Sequence, residues 1–387
     1  MGEGVTAEDG RGSAVEFRTI VVVGIGIIGG SLALAARHRN LAEVVLGVDT
    51  DADSRDWAVA HGVVDDALSP KDALAAGWFS PEGADLVVLA TPALVAVDWL
   101  ARLGEVGYAG IVTDVASTKT EIVAAAGQFL GEQAAFVGGH PMAGSERSGV
   151  KAADANLFEG AYYVLTPTKS TDVVAYRKLN AFVSGLGARV VPVDARAHDE
   201  AVAVISHVPH VTAAALINVA AARSAQAGED MLRLAAGGFK DMTRIAAGSP
   251  ELWTGICLDN ASALSRGIDT LIDELVAFSM YVHEGNRMAV RAWLAAAAEV
   301  RRELPAQWVP AVTALTELLI PISDRPGVVA EVTMAVGRAG CNIEDIEIDH
   351  QSEDRAVLRL VLTDEGDRNA LLESLGSLGY EPTVRPL

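Results

Sequence analysis

Apolar positions fall into three regimes along the chain. From 17 to about 195, short β-branched and aliphatic runs alternate with longer amphipathic stretches. The runs at 17–23, 44–48, 85–90, 110–113 and 134–137 have the composition of strands buried on both faces. Helical stretches at 54–61 and 118–130 lie between them, and Thr118 with Glu121 has the spacing of a capping box. Runs at 161–166 and 189–192 read as further strands closing this unit. Strands alternating with helices predict a Rossmann-like α/β domain, a doubly wound and mostly parallel sheet over 17–195. From 196 to 304 alanine and large aliphatics recur without strand-like alternation, and Ser249-Pro250-Glu251 has the chemistry of a helix start. These helices are apolar on more than one face, which predicts an all-helical substrate and dimerisation domain and hence a homodimer. Pro305 and Pro310 bracket a linker over 305–315. Residues 316–387 then read strand, helix, strand, strand, helix, strand, at 317–322, 328–339, 342–349, 356–363, 368–378 and 381–385. That order is the ferredoxin-like βαββαβ unit. Residues 1–16, glycine-rich, acidic and without periodicity, read as a disordered tail.

Bulk properties exclude several function classes. A chain of 387 residues has room for two or three domains. Its net charge of −21 argues against nucleic acid and anionic membrane surfaces as partners. An anionic substrate stays open if a local basic pocket opposes that field. Two cysteines, Cys257 and Cys341, supply neither a disulfide framework nor a Cys-rich metal site, and fit a cytoplasmic setting. The uncharged stretch 19–36 approaches the length of a membrane span, but its glycines and the acidic residues before it favour a buried strand, turn and helix.

Within that stretch, Gly24-Ile25-Gly26-Ile27-Ile28-Gly29 is a G-x-G-x-x-G directly after a strand and directly before a helix. In this context the motif binds a dinucleotide. Gly24 permits the tight turn, Gly26 lets the backbone approach a pyrophosphate, and Gly29 lets helix and strand pack closely. Asp49 ends the second strand, about 20 residues on, where a carboxylate accepts from ribose hydroxyls. With Asp51 and Asp53 it favours NAD over NADP, against one nearby cation, Arg55.

Ligands of such sheets sit beyond the strand carboxyl ends. Thr91-Pro92, the 114–119 stretch and the Gly-rich 138–146 stretch fall there. Oxidising an alcohol needs a base for the hydroxyl proton, and histidine titrates in the right range. His140, in a Gly-rich loop after the fifth strand, is a candidate; Ser117, just before a helix, is placed to bond the same hydroxyl. Taken singly, Ser117 reads equally as a helix cap and His140 as a satisfied loop histidine. His207 and His210 are three apart on one helical face, without a third residue spaced to complete a metal site. Lys240 and Arg244, beside Gly237-Gly238, read either as a solvated charged face or as a carboxylate grip.

Taken together, GIGIIGGS (24–31), LATP (89–92), DVASTK (114–119), GGHPMAGSERSG (138–149), SHVPH (206–210) and GGFKDMTRIAAGSPELW (237–253) resemble the prephenate/arogenate dehydrogenase family. SDRPGVVAEV (323–332) and CNIEDI (341–346) resemble an ACT domain, which binds amino acids at the loop before its first helix. The resemblance implies NAD-dependent oxidative decarboxylation of prephenate to 4-hydroxyphenylpyruvate, in tyrosine biosynthesis. It implies that His140 accepts the ring hydroxyl proton, with Ser117 orienting that hydroxyl. Arg244 would hold a substrate carboxylate, His210 would contact the substrate side chain, and His207 would lie close by. Glu146 and Lys240 would join the ionic network of the pocket and Trp253 would wall it. Thr91 and Pro92 would line the cofactor, and Asp324, Arg325, Pro326, Gly327, Asn342 and Ile343 would form an effector site for an aromatic amino acid. Arogenate dehydrogenase and a non-catalytic NAD-binding amino-acid sensor are the alternatives; a β-hydroxyacid dehydrogenase leaves SHVPH and the ACT-like tail without a role.

Overall fold

The computed structural model describes residues 16–144, 147–227, 231–303, 316–323, 325, 328–341, 343–352, 355–362 and 366–386. Eight strands form one sheet: β1 (Phe17–Val23), β2 (Ala42–Val48), β3 (Asp66–Leu68), β4 (Leu86–Leu89), β5 (Ile111–Asp114), β6 (Ala135–Pro141), β7 (Tyr162–Thr166) and β8 (Arg189–Pro192). Their spatial order is β3-β2-β1-β4-β5-β6-β7-β8, with every neighbouring pair parallel except β6 and β7. Six helices alternate with these strands: α1 (Ile27–His38), α2 (Ala52–Ala60), α3 (Pro70–Ala75), α4 (Ala93–Glu105), α5 (Thr120–Phe129) and α6 (Val173–Gly185). This is the expected doubly wound α/β sheet. Successive residues of β1 enter different cores, which is why its run does not alternate. Ile20 and Val22 pack with Leu86, Val88, Leu32 and Phe182; Val21 and Val23 pack with Val87, Leu89, Phe79 and Trp99. Full burial of each such side chain contributes about 1.5–3 kcal/mol.

Three local expectations need correction. The edge strand β3 was absent from the hydrophobic pattern, because three residues that pair only with β2 carry no periodic signal. His140 does not lie in a loop: β6 runs through Pro141, and His140 pairs with Val164 of β7. The antiparallel partner extends a strand whose Gly138-Gly139 had read as its end. The capping box at Thr118 and Glu121 does not form, since α5 starts at Thr120 with no cap bond from its own N-cap side chain. Instead the Asp199 carboxylate accepts from the amides of Lys119 and Thr120.

The helical part begins with α7 (Ala195–Val202), continues through a π-helical turn (Ala203–His207) into α8 (Val208–Ala227), and proceeds with α9 (Gly237–Thr243), a 3-10 turn (Arg244–Ala247), α10 (Pro250–Asp259), α11 (Ala261–His283) and α12 (Arg287–Glu303). Ser249 caps α10 by accepting from the Leu252 amide, with Pro250 in the first turn, as its sequence dictates. The stretch Ala195–Gln226 is long and apolar enough to cross a membrane by length and composition, and a third of that window is buried.

The C-terminal unit is β9 (Thr316–Ser323), α13 (Val328–Arg338), β10 (Ile343–Ser352), β11 (Arg355–Leu362), α14 (Arg368–Ser377) and β12 (Thr383–Pro386), in the antiparallel order β10-β11-β9-β12. Leu318, Ile320 and Ile322 alternate onto one face with Leu358 and Leu360, under Val332, Val336, Leu371 and Leu375. The expected βαββαβ unit is thus a one-sided sheet covered by two helices. The chain divides into two compact units between Asp273 and Glu274.

Candidate active site

The turn from β1 to α1 is shaped by its glycines. Gly24 has φ +92°, and a methyl group there would meet the Ala90 carbonyl oxygen at 2.4 Å. A methyl at Gly29 would lie 2.0 Å from the Gly24 oxygen. At Gly26 a methyl would meet nothing within 4 Å, so open space faces the N-terminus of α1, which has no side-chain cap. Ile25 is fully buried, while Ile27 and Ile28 are half-buried in the first turn of the helix. Asp49, just past β2, accepts from the Ile25 amide at 2.8 Å and the Asp51 amide at 3.0 Å, tying the turn to the next strand. The Arg55 guanidinium donates to the backbone carbonyls of Asp49 and Thr50 at 2.8 and 3.0 Å, so a cation is held at the end of β2 by main-chain oxygens. Thr91 and Pro92 join β4 to α4, with Pro92 as N-cap. Thr91 Oγ1 is buried and, among the described residues, has no hydrogen-bond partner. An open cradle at a helix N-terminus and an orphaned hydroxyl fit a dinucleotide.

At the far end of β5 and β6 a buried polar network surrounds His140. Its Nδ1 lies 2.8 Å from His198 Nε2, and His198 Nδ1 lies 2.9 Å from Asp199 Oδ1. Asp199 also receives the Lys119 amide at 2.8 Å and the Thr120 amide at 2.7 Å. The fully buried Lys119 ammonium contacts the Asp114 carboxylate and donates to the Gly139 carbonyl at 2.7 Å, while the Gly139 amide donates to Asp114 at 3.0 Å. Both backbone groups of the residue before His140 are thereby fixed. A methyl at Gly139 would meet the Asp114 carbonyl oxygen at 2.6 Å, so glycine is required there by packing. Burial pushes the His140 imidazole well below its ordinary pKa; the Lys119 ammonium and the rings of His198 and His207 add to this, and Asp199 opposes it. The ring is neutral at neutral pH. Burial also acts against both charges of the Lys119 and Asp114 pair. Ser117 is half-buried between β5 and α5.

The π turn carries His207 into the same network. Pro209 has no N–H and its ring crowds the carbonyl one turn earlier, and a π turn ending at His207 relieves that crowding. His207 Nδ1 lies 3.3 Å from Asn260 Nδ2, which donates to the Asp199 carbonyl at 2.7 Å. Burial lowers the His207 pKa to about 4, with Asp199 opposing and His198 and His210 adding. His210, lowered by burial, stacks on Trp253 at 3.5 Å and 12°, and His207 meets the same ring edge-on at 6.0 Å. Gly248 packs against both: a methyl there would come within 2.8 Å of Trp253 Nε1 and 3.1 Å of His210 Cε1.

Thus His140, His207, His210 and Trp253 are brought into one neighbourhood through residues that sequence reasoning passed over: His198, Asp199, Asn260 and Gly248. One signal was present, since His198, Asp199 and Val202 form the buried face of α7. Lys240 and Arg244 lie at exposed positions on α9 and the following turn, elements that pack on α8. Glu146 falls outside the described residues, as do Asp324, Pro326, Gly327 and Asn342. Arg325 donates to Glu331 at 2.6 Å, and the Tyr380 hydroxyl donates to the same oxygen at 2.9 Å, just before α13; Ile343 opens β10. Among the described residues no three His, Cys, Asp or Glu side chains are arranged so that they could hold a metal ion. A cavity of about 950 Å³ lies at the amino ends of β1, β4, β5 and β6, lined by Arg18, Asp85, Glu132 and Lys178, at the other end of these strands from His140 and the glycine turn.

Comparison with known proteins places the chain in a family. Three family models match in succession: the prephenate dehydrogenase nucleotide-binding domain over 32–192, the prephenate dehydrogenase dimerization domain over 194–296, and the ACT domain over 316–379. Prephenate dehydrogenase of Bacillus subtilis is 36% identical over 354 residues, covering 90% of this chain and 93% of that protein. The chain belongs to the prephenate dehydrogenase family. Among solved structures, the prephenate dehydrogenase of A. aeolicus in complex with hydroxyphenyl propionate and NAD+ is 29% identical, with a TM-score of 0.69 over 74% of this chain and 98% of that one. Arogenate dehydrogenase of Synechocystis is 32% identical, with a TM-score of 0.62 over 74% of this chain and 99% of its own.

Proposed function

We propose that this chain is an NAD-dependent oxidoreductase that converts prephenate to 4-hydroxyphenylpyruvate and carbon dioxide. The observation that carries this reading is a neutral, half-buried imidazole at the end of β6, with one ring nitrogen committed to His198. Bound at the glycine turn, NAD would supply the acceptor for the hydride of the hydroxyl-bearing ring carbon. His140 Nε2 takes the hydroxyl proton from the same centre. Loss of the ring carboxylate as carbon dioxide then moves an electron pair into the ring and onto the oxygen, which recovers the proton as a phenol. Aromatisation supplies the driving force, so the protein contributes position and a proton acceptor. Ser117 orients the hydroxyl. Trp253 and His210 wall the side-chain end of the pocket, with His207 behind them; Arg244 supplies positive charge for a substrate carboxylate, and Lys240 and Glu146 belong to the ionic network of the pocket. The cradle at Gly24, Gly26 and Gly29, with Asp49 and Thr91, holds the dinucleotide.

The division of labour follows the three family segments: dinucleotide binding over 17–195, substrate binding and dimerisation over 196–304, and regulation by an aromatic amino acid over 316–387. The enzyme is cytoplasmic and a homodimer in this reading. The test is the rise of NADH absorbance with purified enzyme, using prephenate or arogenate against NAD or NADP. We expect prephenate with NAD to give the highest kcat/KM. A preference for arogenate would move the chain to the reading favoured by its likeness to the Synechocystis enzyme, and NAD binding without turnover of either substrate would reduce it to a sensor. Tyrosine and phenylalanine added to the same assay test the effector, and unchanged rates with both would remove the regulatory role.

A further inference from the structure

We propose that His198 and Asp199 are positioning residues that hold His140 in its Nδ1–H tautomer and so leave Nε2 as the proton acceptor. This inference rests on the reading of His140 as the base. A neutral imidazole carries one N–H and one lone pair, and an ionised carboxylate only accepts. Asp199 Oδ1 receives the Lys119 amide and Oδ2 the Thr120 amide, both from the start of α5. A helix N-terminus favours an anion at that place. Burial raises the Asp199 pKa, but its hydrogen bonds with His198, Thr120 and Lys119 outweigh burial and lower it. The carboxylate is therefore an obligate acceptor, and His198 Nδ1, 2.9 Å from Oδ1, must donate. With His198 taken as uncharged, its lone pair lies on Nε2, and His140 Nδ1, 2.8 Å away, donates to it. That assignment strips the proton from His140 Nε2. Were His198 protonated or Asp199 neutral, the chain of donors could reverse and place a proton on the nitrogen that has to receive one.

The same carboxylate fixes more than a tautomer. It anchors the start of α5, two residues beyond Ser117, and its backbone carbonyl takes the Asn260 amide that reaches His207. The hydroxyl-orienting loop, the base and the histidine behind the pocket wall thus share one anchor. The side chains of His198 and Asp199 are almost fully buried, so this is a preorganised shell and not a solvent-facing contact.

The experiment compares wild type with His198→Ala, His198→Gln and Asp199→Asn, reading kcat, KM, the pH profile of kcat and NAD affinity by fluorescence titration. We expect His198→Ala and Asp199→Asn to lower kcat by about a hundredfold or more, the range of a mispositioned general base, with NAD affinity within about twofold. Glutamine can set an amide oxygen near the position of Nε2, so His198→Gln should recover at least about tenfold of the alanine loss. The groups facing His140 are Lys119, His198, His207 and Asp199, of which only Asp199 favours its imidazolium. Asp199→Asn should therefore move the acid limb of kcat to lower pH. A kcat for His198→Ala within about threefold of wild type, with the acid limb unmoved in Asp199→Asn, overturns the inference while leaving His140 as base. No turnover by wild type overturns the parent reading instead. Should the variants fail to fold, nitrogen-15 spectra of histidine-labelled wild type decide, with His140 assigned by its loss in His140→Asn. A protonated Nδ1 with a bare Nε2 upholds the inference, and a protonated Nε2 at neutral pH overturns it.

Discussion

The neutrality of His140 is set by burial and by an ammonium that the fold places beside it, and this governs how activity should depend on pH. Its pKa lies well below the ordinary value, so the proton-accepting form persists as pH falls through the usual histidine range. The acid limb of kcat should therefore lie below that of a solvent-exposed imidazole, and a limb at or above pH 6.5 would contradict the burial argument. His140→Asn should cut kcat by about a hundredfold or more with NAD affinity intact. His207 carries a stability consequence. Its folded pKa is about 4 against 6.5 when exposed, so on acidification the unfolded chain takes the proton first. Stability present at neutral pH is lost as pH falls below 6.5, by about 2 kcal/mol between pH 7 and pH 5 from this group alone. Urea unfolding at the two pH values should show that loss, and His207→Gln should remove it. Arg244 is exposed in a single chain, so Arg244→Ala should raise KM for prephenate by about tenfold with kcat nearly unchanged, as for a screened contact that binds ground and transition states alike.

Elements differ in how far their reasons are local, and the glycine turn shows one extreme. Gly29 is required by the protein itself, since a methyl would strike the Gly24 oxygen at 2.0 Å; Gly26 is not, since a methyl there meets nothing within 4 Å. Gly26→Ala should thus leave Tm within a degree or two yet weaken NAD binding by about tenfold or more, because the methyl occupies the space the pyrophosphate needs. Gly29→Ala should lower Tm as well. Equal effects on Tm from both would mean that Gly26 serves packing. This turn was readable from sequence because strand, glycines and helix are contiguous. The same holds for Ser249-Pro250 at α10 and for the alternating Leu318, Ile320 and Ile322 of β9. The length of β6 was not readable, because pairing with β7 creates its last residues. Nor was the function of α7, a helix whose buried face carries His198 and Asp199 where an apolar residue is ordinary. Those two residues acquire meaning from His140 in β6 and from the start of α5, partners 58 and 80 positions away along the chain. Motif spacing reports chemistry within an element, whereas a relay assembled across three elements leaves only the anomaly of buried polar residues.

Charge and apolar surface together set the terms of association for the whole molecule. Each chain carries −21, so two copies repel at long range. The helical part nevertheless leaves Ile205, Val219, Leu234, Met242, Leu252 and Leu258 more than half exposed. A surface of this kind marks an interface, and the match to a dimerization domain over 194–296 covers these residues. The same segment contains the stretch that passes for a membrane span, so its apolar outer face has two candidate environments, a second subunit or lipid. Burial of apolar side chains does not weaken with salt, whereas repulsion between like-charged chains is screened within about 10 Å at 0.1 M salt. A dimer held this way should therefore persist, and tighten, as salt is raised; one held by ion pairs would loosen. Sedimentation equilibrium at micromolar protein should give twice 40.3 kDa at both low and molar salt, with no co-flotation with neutral lipid vesicles. A species of single-chain mass throughout would leave the exposed helical face without a protein partner, and flotation would assign it to lipid. Dissociation at high salt would preserve the dimer but transfer its stabilisation from these apolar side chains to charge pairs.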